Sequence, residues 1–329
     1  MFRRILVPLD GSTLAEVALP CAEEMAGRMG SQVILVSVLE SGADQYENLF
    51  RCYLNSRAAD LQTRILDGGG PDVTVTPLLV PEIEEEDLIE EDTPSKDLGH
   101  PTSEIIGAAA AHGASIIIMA THGYSGLRRV ALSSVADAIV HGCGMPVLLV
   151  RPDGEAAKTP SQICRNIVVP LDGSAMAESA LRVVEDMAAK MSGQGMTVNL
   201  VHVAPERRVA TTDEPSQTFL ENVVDPAWCK AGDKAELYFE QAAAYLKQSG
   251  ATLEAAGVTV NHQVRAGKPE EEIAAYTTDT CAAMIVMACH ARTGIGRYLM
   301  GSTADRILRT VEASVLLLRP EKPQPPGTE

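Results

Sequence analysis

The sequence contains one eight-residue stretch twice. Residues 5–12 read Ile-Leu-Val-Pro-Leu-Asp-Gly-Ser and residues 167–174 read Ile-Val-Val-Pro-Leu-Asp-Gly-Ser, 162 positions apart in a chain of 329 residues. Two later segments match at an offset of 168, residues 119–122 with 287–290 and residues 147–152 with 315–320. Solenoid units repeat every ~20–50 residues, so a period this long indicates two copies of a whole domain.

The repeat sets the predicted domain boundaries. Residues 1–152 form the first domain and residues 165–320 the second, and both have the size of an ordinary domain. A linker is predicted at 153–164, a stretch that contains Pro, Gly, Lys and Thr. The Pro-rich residues 321–329 are predicted to be a disordered tail.

Short apolar runs alternate with helical patterns in each half. Strands are predicted at 5–9, 33–38, 73–80, 116–119 and 147–150, and again at 167–171, 198–203, 258–264, 284–287 and 315–318. Strands that alternate with helices predict the α/β class, here two tandem doubly wound, five-stranded parallel sheets. The fifth strands are apolar and would leave exposed sheet edges, so we expect the halves to pair through them as a pseudo-twofold dimer within one chain.

Composition argues against several classes of partner. A net charge of -17 argues against nucleic acid and against an anionic membrane surface, because both need clustered Lys and Arg. No apolar run approaches the ~20 residues of a membrane span, so no membrane insertion is expected. The seven cysteines are scattered without metal-ligand spacing, and the chain begins close to its first predicted strand. These features predict reduced thiols, no metal site, no signal peptide and a cytoplasmic protein.

Two segments break the repeat. The acidic run at 82–92 has no counterpart, and the second half carries extra residues within 206–232. The acidic run is interpreted as a solvated loop, with a docking or cation-binding loop as the alternative.

The candidate ligand site lies at the carboxyl ends of the strands. In an open α/β sheet, ligands bind there at the point where the strand order reverses. The loops after strands one and four are therefore the candidates, together with the starts of the last helices at Ser133-Ser134 and Gly301-Ser302. Free backbone N–H groups at a helix N-terminus favour an anion such as phosphate.

Structural roles are weighed against this interpretation. Asp10 and Asp172 could cap the loop before the first helix, and Ser134 and Ser302 could be helix N-caps. His122 and its counterpart at 290 could be catalytic bases, but a loop His beside Gly is more often a hydrogen-bonding spacer. No nucleophile, base and orienting group recur in both halves, so no catalytic residue is predicted.

These motifs, in this order and twice, resemble the universal stress protein family. The resemblance rests on Val-Pro-Leu-Asp-Gly-Ser after strand one, Met-Ala-Thr-His-Gly after strand four, the Gly-x-Pro turns and the closing Pro-Val-Leu-Leu-Val-Arg. It covers both halves nearly end to end. It implies the adenine nucleotide alpha hydrolase-like (HUP) fold and an intramolecular pseudo-dimer, and it leaves a homodimer of chains open.

The resemblance also implies which residues would contact a nucleotide. ATP-binding members carry Gly-x2-Gly-x9-Gly-Ser/Thr, whose glycines let the backbone wrap the phosphates. The first half has Ala and Ser at the first and third glycine positions, and the second half has Ala at the first and second. Carried over by position, the nucleotide-binding residues are Pro8, Asp10, Val38, Ala120, Gly123, Ser133, Ser134, Pro170, Asp172, Val203, Ala288, Ala291, Gly301 and Ser302.

The implied function is binding rather than catalysis. The resemblance points to a stress-response regulator that holds ATP or a related adenine nucleotide, with or without Mg²⁺, and acts on an unidentified protein partner. One alternative is a nucleotide-free dimerisation module with vestigial loops. Another is a slow ATP hydrolase or phosphotransferase.

Overall fold

The computed structural model describes residues 2–82, 101–121, 132–151, 163–191, 195–204, 234–289 and 300–319. The acidic run beyond Glu82, the extra residues of the second half, the predicted tail and most of the predicted linker lie outside these ranges. Ile163 and Cys164, assigned to the end of the linker, are described and fully buried. The backbone N–H of Ile163 donates to the Glu24 carboxylate at 2.8 Å, so this junction is packed against the first half.

The first half alternates strands and helices in the predicted order. Its elements are β1 (Arg4–Pro8), α1 (Thr13–Glu16), α2 (Leu19–Met29), β2 (Gln32–Leu39), a 3-10 turn (Asp44–Tyr46), α3 (Glu47–Asp67), β3 (Val75–Pro81), α4 (Thr102–Ala111), β4 (Ile116–Ala120), α5 (Ser134–Gly142) and β5 (Val147–Val150). Pro20 divides the first helical segment into α1 and α2, because proline has no N–H to continue the hydrogen-bond ladder.

The second half repeats this order. Its elements are β6 (Asn166–Pro170), α6 (Ala175–Lys190), β7 (Thr197–Ala204), α7 (Lys234–Ala255), β8 (Thr259–Ala266), α8 (Pro269–Asp279), β9 (Met284–Ala288), α9 (Ser302–Thr310) and β10 (Ser314–Leu318). Arg182 stands where the first half has Pro20, and α6 accordingly runs unbroken for 16 residues.

The two predicted sheets are joined into one sheet of ten strands, ordered β3-β2-β1-β4-β5-β10-β9-β6-β7-β8. The pairs within each half are parallel, whereas β5 and β10 pair antiparallel, with Leu148 opposite Leu316. The prediction that the fifth strands pair is therefore confirmed. Each apolar edge is covered by its counterpart, which leaves β3 and β8 at the ends of the sheet.

Alternate residues of each strand face two separate helical layers. One core contains Ile5 and Val7 and packs under α2, α3, α6 and α7. The other contains Leu6 and packs under α4, α5, α8 and α9. Both cores run through the two halves of the chain, so hydrophobic burial binds the halves together on each face of the sheet.

Candidate functional site

A crevice opens in each half where the first and fourth strands separate. β1 pairs with β4 only at Ile5 and Leu6, and further along it stays with β2, ending with Leu9 N–H on the Val36 carbonyl at 2.8 Å. β4 continues instead beside β5. β6 and β9 separate in the same way after Ile167 and Val168. These are the positions where the strand order reverses, as the candidate site requires.

The two predicted aspartates shape the turn that follows β1 and β6. Oδ1 of Asp10 accepts from the N–H of Ser12 at 2.9 Å, and Oδ1 of Asp172 accepts from the N–H of Ser174 at 2.9 Å. Gly11, which lies between Asp10 and Ser12, has a φ of 80°, a backbone conformation that favours glycine. The capping role is therefore real, and it holds both exposed carboxylates in one orientation at the edge of the crevice.

Two buried polar residues missed by the sequence interpretation hold these turns to the sheet. The Ser37 hydroxyl donates to the Leu9 carbonyl at 2.6 Å, and Nδ1 of His202 lies 2.8 Å from the Leu171 carbonyl. Each carbonyl belongs to the residue just before the aspartate. The detectable signal was a polar residue inside an apolar strand, Val-Ser-Val at 36–38 and Val-His-Val at 201–203.

His202 is held as a neutral ring. Its Nε2 lies 2.8 Å from the Tyr238 hydroxyl. Burial lowers the pKa of His202, although the Leu171 carbonyl and the nearby Asp172 charge act in the opposite direction. A neutral imidazole that donates from Nδ1 to Leu171 can accept at Nε2 from Tyr238, which satisfies both nitrogens in a buried position.

The remaining strand residues of the predicted site stand at the same end of the sheet. Pro8 and Pro170 close β1 and β6 and are half-buried. Val38 and Val203 are half-buried next to Ser37 and His202. The fourth strands end at Ala120 and Ala288, whereas Gly123, Ala291 and the histidines at 122 and 290 lie outside the described residues.

The last helix of the first half begins at Ser134, within the pair Ser133-Ser134 that was expected to open it. Ser133 is the N-cap of α5, and its Oγ accepts from Ala136 N–H at 3.1 Å, so the interpretation of Ser134 as the cap was wrong. Ser133 N–H also donates to the Thr121 carbonyl at 2.8 Å. The extended backbone of Ser133 turns its own side chain onto the helix, and Ser134 is the exposed first helical residue.

The corresponding helix of the second half is left open. Gly301 is the N-cap of α9 and has no side chain to accept a hydrogen bond, and Ser302 is the first helical residue, not the cap. Within the described residues, Ala304 N–H has no side-chain acceptor, whereas its counterpart Ala136 N–H is capped by Ser133. The first turn of α9 therefore offers an anion one more backbone donor than the first turn of α5.

Across the described ranges, no group of three or more His, Cys, Asp or Glu side chains is placed to hold a metal ion. None of the helices in the described ranges is long and apolar enough to cross a membrane.

Each half of the chain matches the same protein family. The model of the Universal stress protein family matches residues 1–151 and again residues 164–319. The chain belongs to the universal stress protein family. The family resemblance drawn from the motifs is thereby confirmed for both halves.

Relatives of this family match one half or the greater part of the chain. Universal stress protein MJ0577 of Methanocaldococcus jannaschii is 26% identical over 159 residues, which are 46% of this chain and 96% of that protein. Universal stress protein Rv2005c of Mycobacterium tuberculosis is 23% identical over 206 residues, which are 63% of this chain and 62% of that protein.

A solved structure of the family shares the tandem fold. A universal stress protein from Archaeoglobus fulgidus superposes with a TM-score of 0.63 at 17% identity, covering 97% of this chain and 100% of that chain. At this identity the likeness shows the architecture alone. The shared architecture is two α/β domains of the family in one polypeptide.

Proposed function

We propose that this universal stress protein binds ATP or a related adenine nucleotide in the crevice at the carboxyl ends of the strands. The observation that carries the proposal is the position of the crevice. An oriented carboxylate on one side and the N-terminus of a last helix on the other flank the point where the strand order reverses. The carboxylate can accept hydrogen bonds from the hydroxyl groups of a nucleotide, and the helix N-terminus offers N–H donors to its phosphates.

The described residues fit such a ligand better in the second half. Gly301 leaves the first turn of α9 open, and the absence of a Cβ there lets a phosphate approach the backbone. In the first half, Ser133 occupies one amide of α5 with its own hydroxyl and carries a Cβ beside the phosphate position. We therefore assign the tighter site to the second half.

The proposed role is regulation rather than catalysis. His202, the histidine that the described residues place beside the site, is not arranged as a base next to a nucleophile, because it is buried between Leu171 and Tyr238. Nucleotide occupancy would instead set the conformation of the loops around the crevice and so alter the surface offered to a protein partner. Any Mg²⁺ would enter with the nucleotide phosphates.

The cellular setting is part of the same proposal. Every cysteine in the described ranges is a free thiol, and four of them, Cys21, Cys143, Cys164 and Cys289, are buried. Free thiols support a reducing compartment, which for this chain we take to be the cytoplasm. A homodimer of chains would have to use another surface than the fifth strands, because β5 and β10 already pair with each other.

Native mass spectrometry of freshly purified protein tests the binding proposal. We expect a mass increment of one or two adenine nucleotides per chain that disappears on denaturation. Calorimetry with ATP on nucleotide-stripped protein would then give the affinity and the number of sites. Protein that carries no nucleotide and takes up none would contradict the proposal.

A second candidate is a dimerisation module without nucleotide, and the first half favours it. There Ser133 already satisfies Ala136 N–H and the Thr121 carbonyl, which closes the end of the crevice with the chain's own groups. A calorimetric titration that finds no site in the first half would assign this module role to that half alone.

A further inference from the structure

An open groove lies between α6 and α7 of the second half, next to the Asp172 turn. It has a volume of about 630 Å³, within the usual size range of small-molecule sites. Its walls are mostly polar and include Glu178, Arg182 and Glu185 from α6 and Gln241, Tyr245 and Ser249 from α7.

The first half closes the equivalent position with two arginines of α3. The Arg57 guanidinium lies 3.6 Å from the Glu16 carboxylate. The Arg64 guanidinium lies 3.0 Å from the carboxylate of Glu23, which belongs to α2, the helix after that of Glu16. Two carboxylates on the first helical segment are thus each met by a guanidinium from the neighbouring helix.

The second half retains both carboxylates and lacks both arginines. Glu178 and Glu185 correspond to Glu16 and Glu23 at the offset of 162, while Ser249 and Ala256 stand at the positions of Arg57 and Arg64 at an offset of 192. The second offset is supported by buried leucines on both helices, Leu54 with Leu246 and Leu61 with Leu253.

One neighbouring contact is the same in both halves. The Tyr53 hydroxyl donates to Glu16 at 2.9 Å, and the Tyr245 hydroxyl donates to Glu178 at 3.2 Å. The tyrosine and the first carboxylate keep their contact in both halves, so the missing guanidinium groups leave Glu178 and Glu185 without the cations that Glu16 and Glu23 have.

The groove therefore has more acceptors than donors. Oε1 of Gln241 is buried and has no hydrogen-bond partner among the described residues. Within the same ranges, Glu185 forms no ion pair and Arg182 is an exposed cation that pairs with none of the acids. Glu178, Glu185 and the nearby Asp172 outnumber Arg182, so the groove is net negative at neutral pH. The carboxylates of Glu178 and Glu185, which no arginine in the described ranges meets, are the groups that a ligand with cationic N–H groups would contact in the groove.

We propose that this groove binds a small organic cation with two cationic ends, of the polyamine or guanidinium-amine class. One end would meet Glu178 and the other Glu185, replacing the two arginine head groups that fill the first half. These carboxylates are seven residues apart on one helix and so are separated by about 10 Å along its axis. The site adjoins the proposed nucleotide crevice at the Asp172 turn, has its own carboxylates and needs no nucleotide.

Calorimetry with agmatine and with spermidine on nucleotide-stripped full-length protein tests this site. We expect one cation per chain. In the Ser249→Arg variant, which restores the arginine of the first half beside Glu178, binding should weaken about tenfold or more. Ser56→Arg is the matched control, since it adds the same charge on the exposed face of α3 and should leave cation binding unchanged.

Two further variants distinguish the groove from general charge attraction. Glu185→Gln removes one carboxylate at nearly constant shape and should also weaken binding about tenfold. Arg57→Ser should expose Glu16 in the first half and create a second, weaker cation site.

Three outcomes would overturn the proposal. The first is no heat of binding with either cation at millimolar concentration. The second is equal affinity in wild-type protein and the Ser249→Arg variant. The third is binding of an arginine-rich peptide that Ser249→Arg abolishes while both small cations stay unbound, because the groove would then be a peptide-docking surface.

Discussion

The guanidinium of Arg151 donates a hydrogen bond to the backbone carbonyl of Leu308, a residue of the other half of the chain. The pseudo-symmetric contact also forms, from Arg319 to the carbonyl of Val140. Leu308 and Val140 lie in the last turns of α9 and α5, where helix carbonyls have no partner within the helix. Each half thus caps the final helix of the other with a buried cation, which the helix dipole favours.

The first prediction concerns this reciprocal contact. Arg151 is buried, and burial lowers its pKa, so an uncompensated arginine would be unfavourable at this position. Arg151→Ala leaves the Leu308 carbonyl buried without its donor and should lower the free energy of unfolding by about 2–3 kcal/mol, measured by urea denaturation. Arg51→Ala, which removes an exposed pair with Glu47, is the control and should change it by less than about 1 kcal/mol. Equal losses in the two variants would refute the capping role.

The second prediction separates the two roles of Asp172. Asp172→Ala should weaken nucleotide binding in the second half about tenfold or more, as Asp10→Ala should in the first half. Asp172→Asn keeps an Oδ1 that can accept from Ser174 N–H and thus preserves the turn. If Asn restores the affinity fully, the aspartate acts only as a cap and the carboxylate does not recognise the nucleotide. Calorimetry with ATP on each variant gives the answer.

A third prediction compares the two last helices. Ser133→Gly removes a Cβ and frees Ala136 N–H, so it should tighten nucleotide binding in the first half at a cost of a few tenths of a kcal/mol in stability. Gly301→Ser should do the reverse in the second half. Ala291→Gly, which restores the second glycine of the family pattern, should tighten binding in the second half. If one equivalent of nucleotide copurifies, we expect it beside Gly301.

The outcome for these variants also ranks the glycine positions. Nucleotide bound beside Ser133 alone would mean that Gly123, present only in the first half, matters more than Gly301. Unchanged affinity in all three variants would show that neither the second nor the third glycine position of the family pattern limits nucleotide binding.

The fourth prediction is a pH dependence that belongs to the second half. Burial lowers the pKa of His202 below its usual 6.5. Just below pH 6.5 the unfolded state therefore binds a proton at this ring and the folded state does not. Its contribution to stability is complete above about pH 6.5 and should be lost as the pH falls through the folded pKa. As the pH is lowered below about 6.5, the urea midpoint should fall more steeply in wild-type protein than in the His202→Gln variant. Parallel curves would mean that the ring does not stay neutral in the fold.

The sequence predicted most of the fold because its signals are local. Apolar runs of strand length, helical periodicity and the turn residues between them are read within a few positions, and the repeat checks each of them against a second copy. The pairing of the fifth strands was also predictable, since an apolar edge such as 315–318 needs a cover. The suggested N-cap of α5, Ser134, was one residue too late because Ser133 and Ser134 are adjacent and both suitable caps.

The amino-acid sequence alone determined the family, the two α/β domains and the positions of Asp10 and Asp172 at the ends of the first strands. Only the tertiary structure decided that Arg151 reaches Leu308, that His202 supports the Asp172 turn, and that the groove beside Glu178 lacks the arginine of its counterpart. These contacts join residues that are far apart in the chain, and their partners are chosen by how helices and strands pack. Sequence spacing and periodicity do not predict these contacts, because they describe neighbours along the chain rather than neighbours in space.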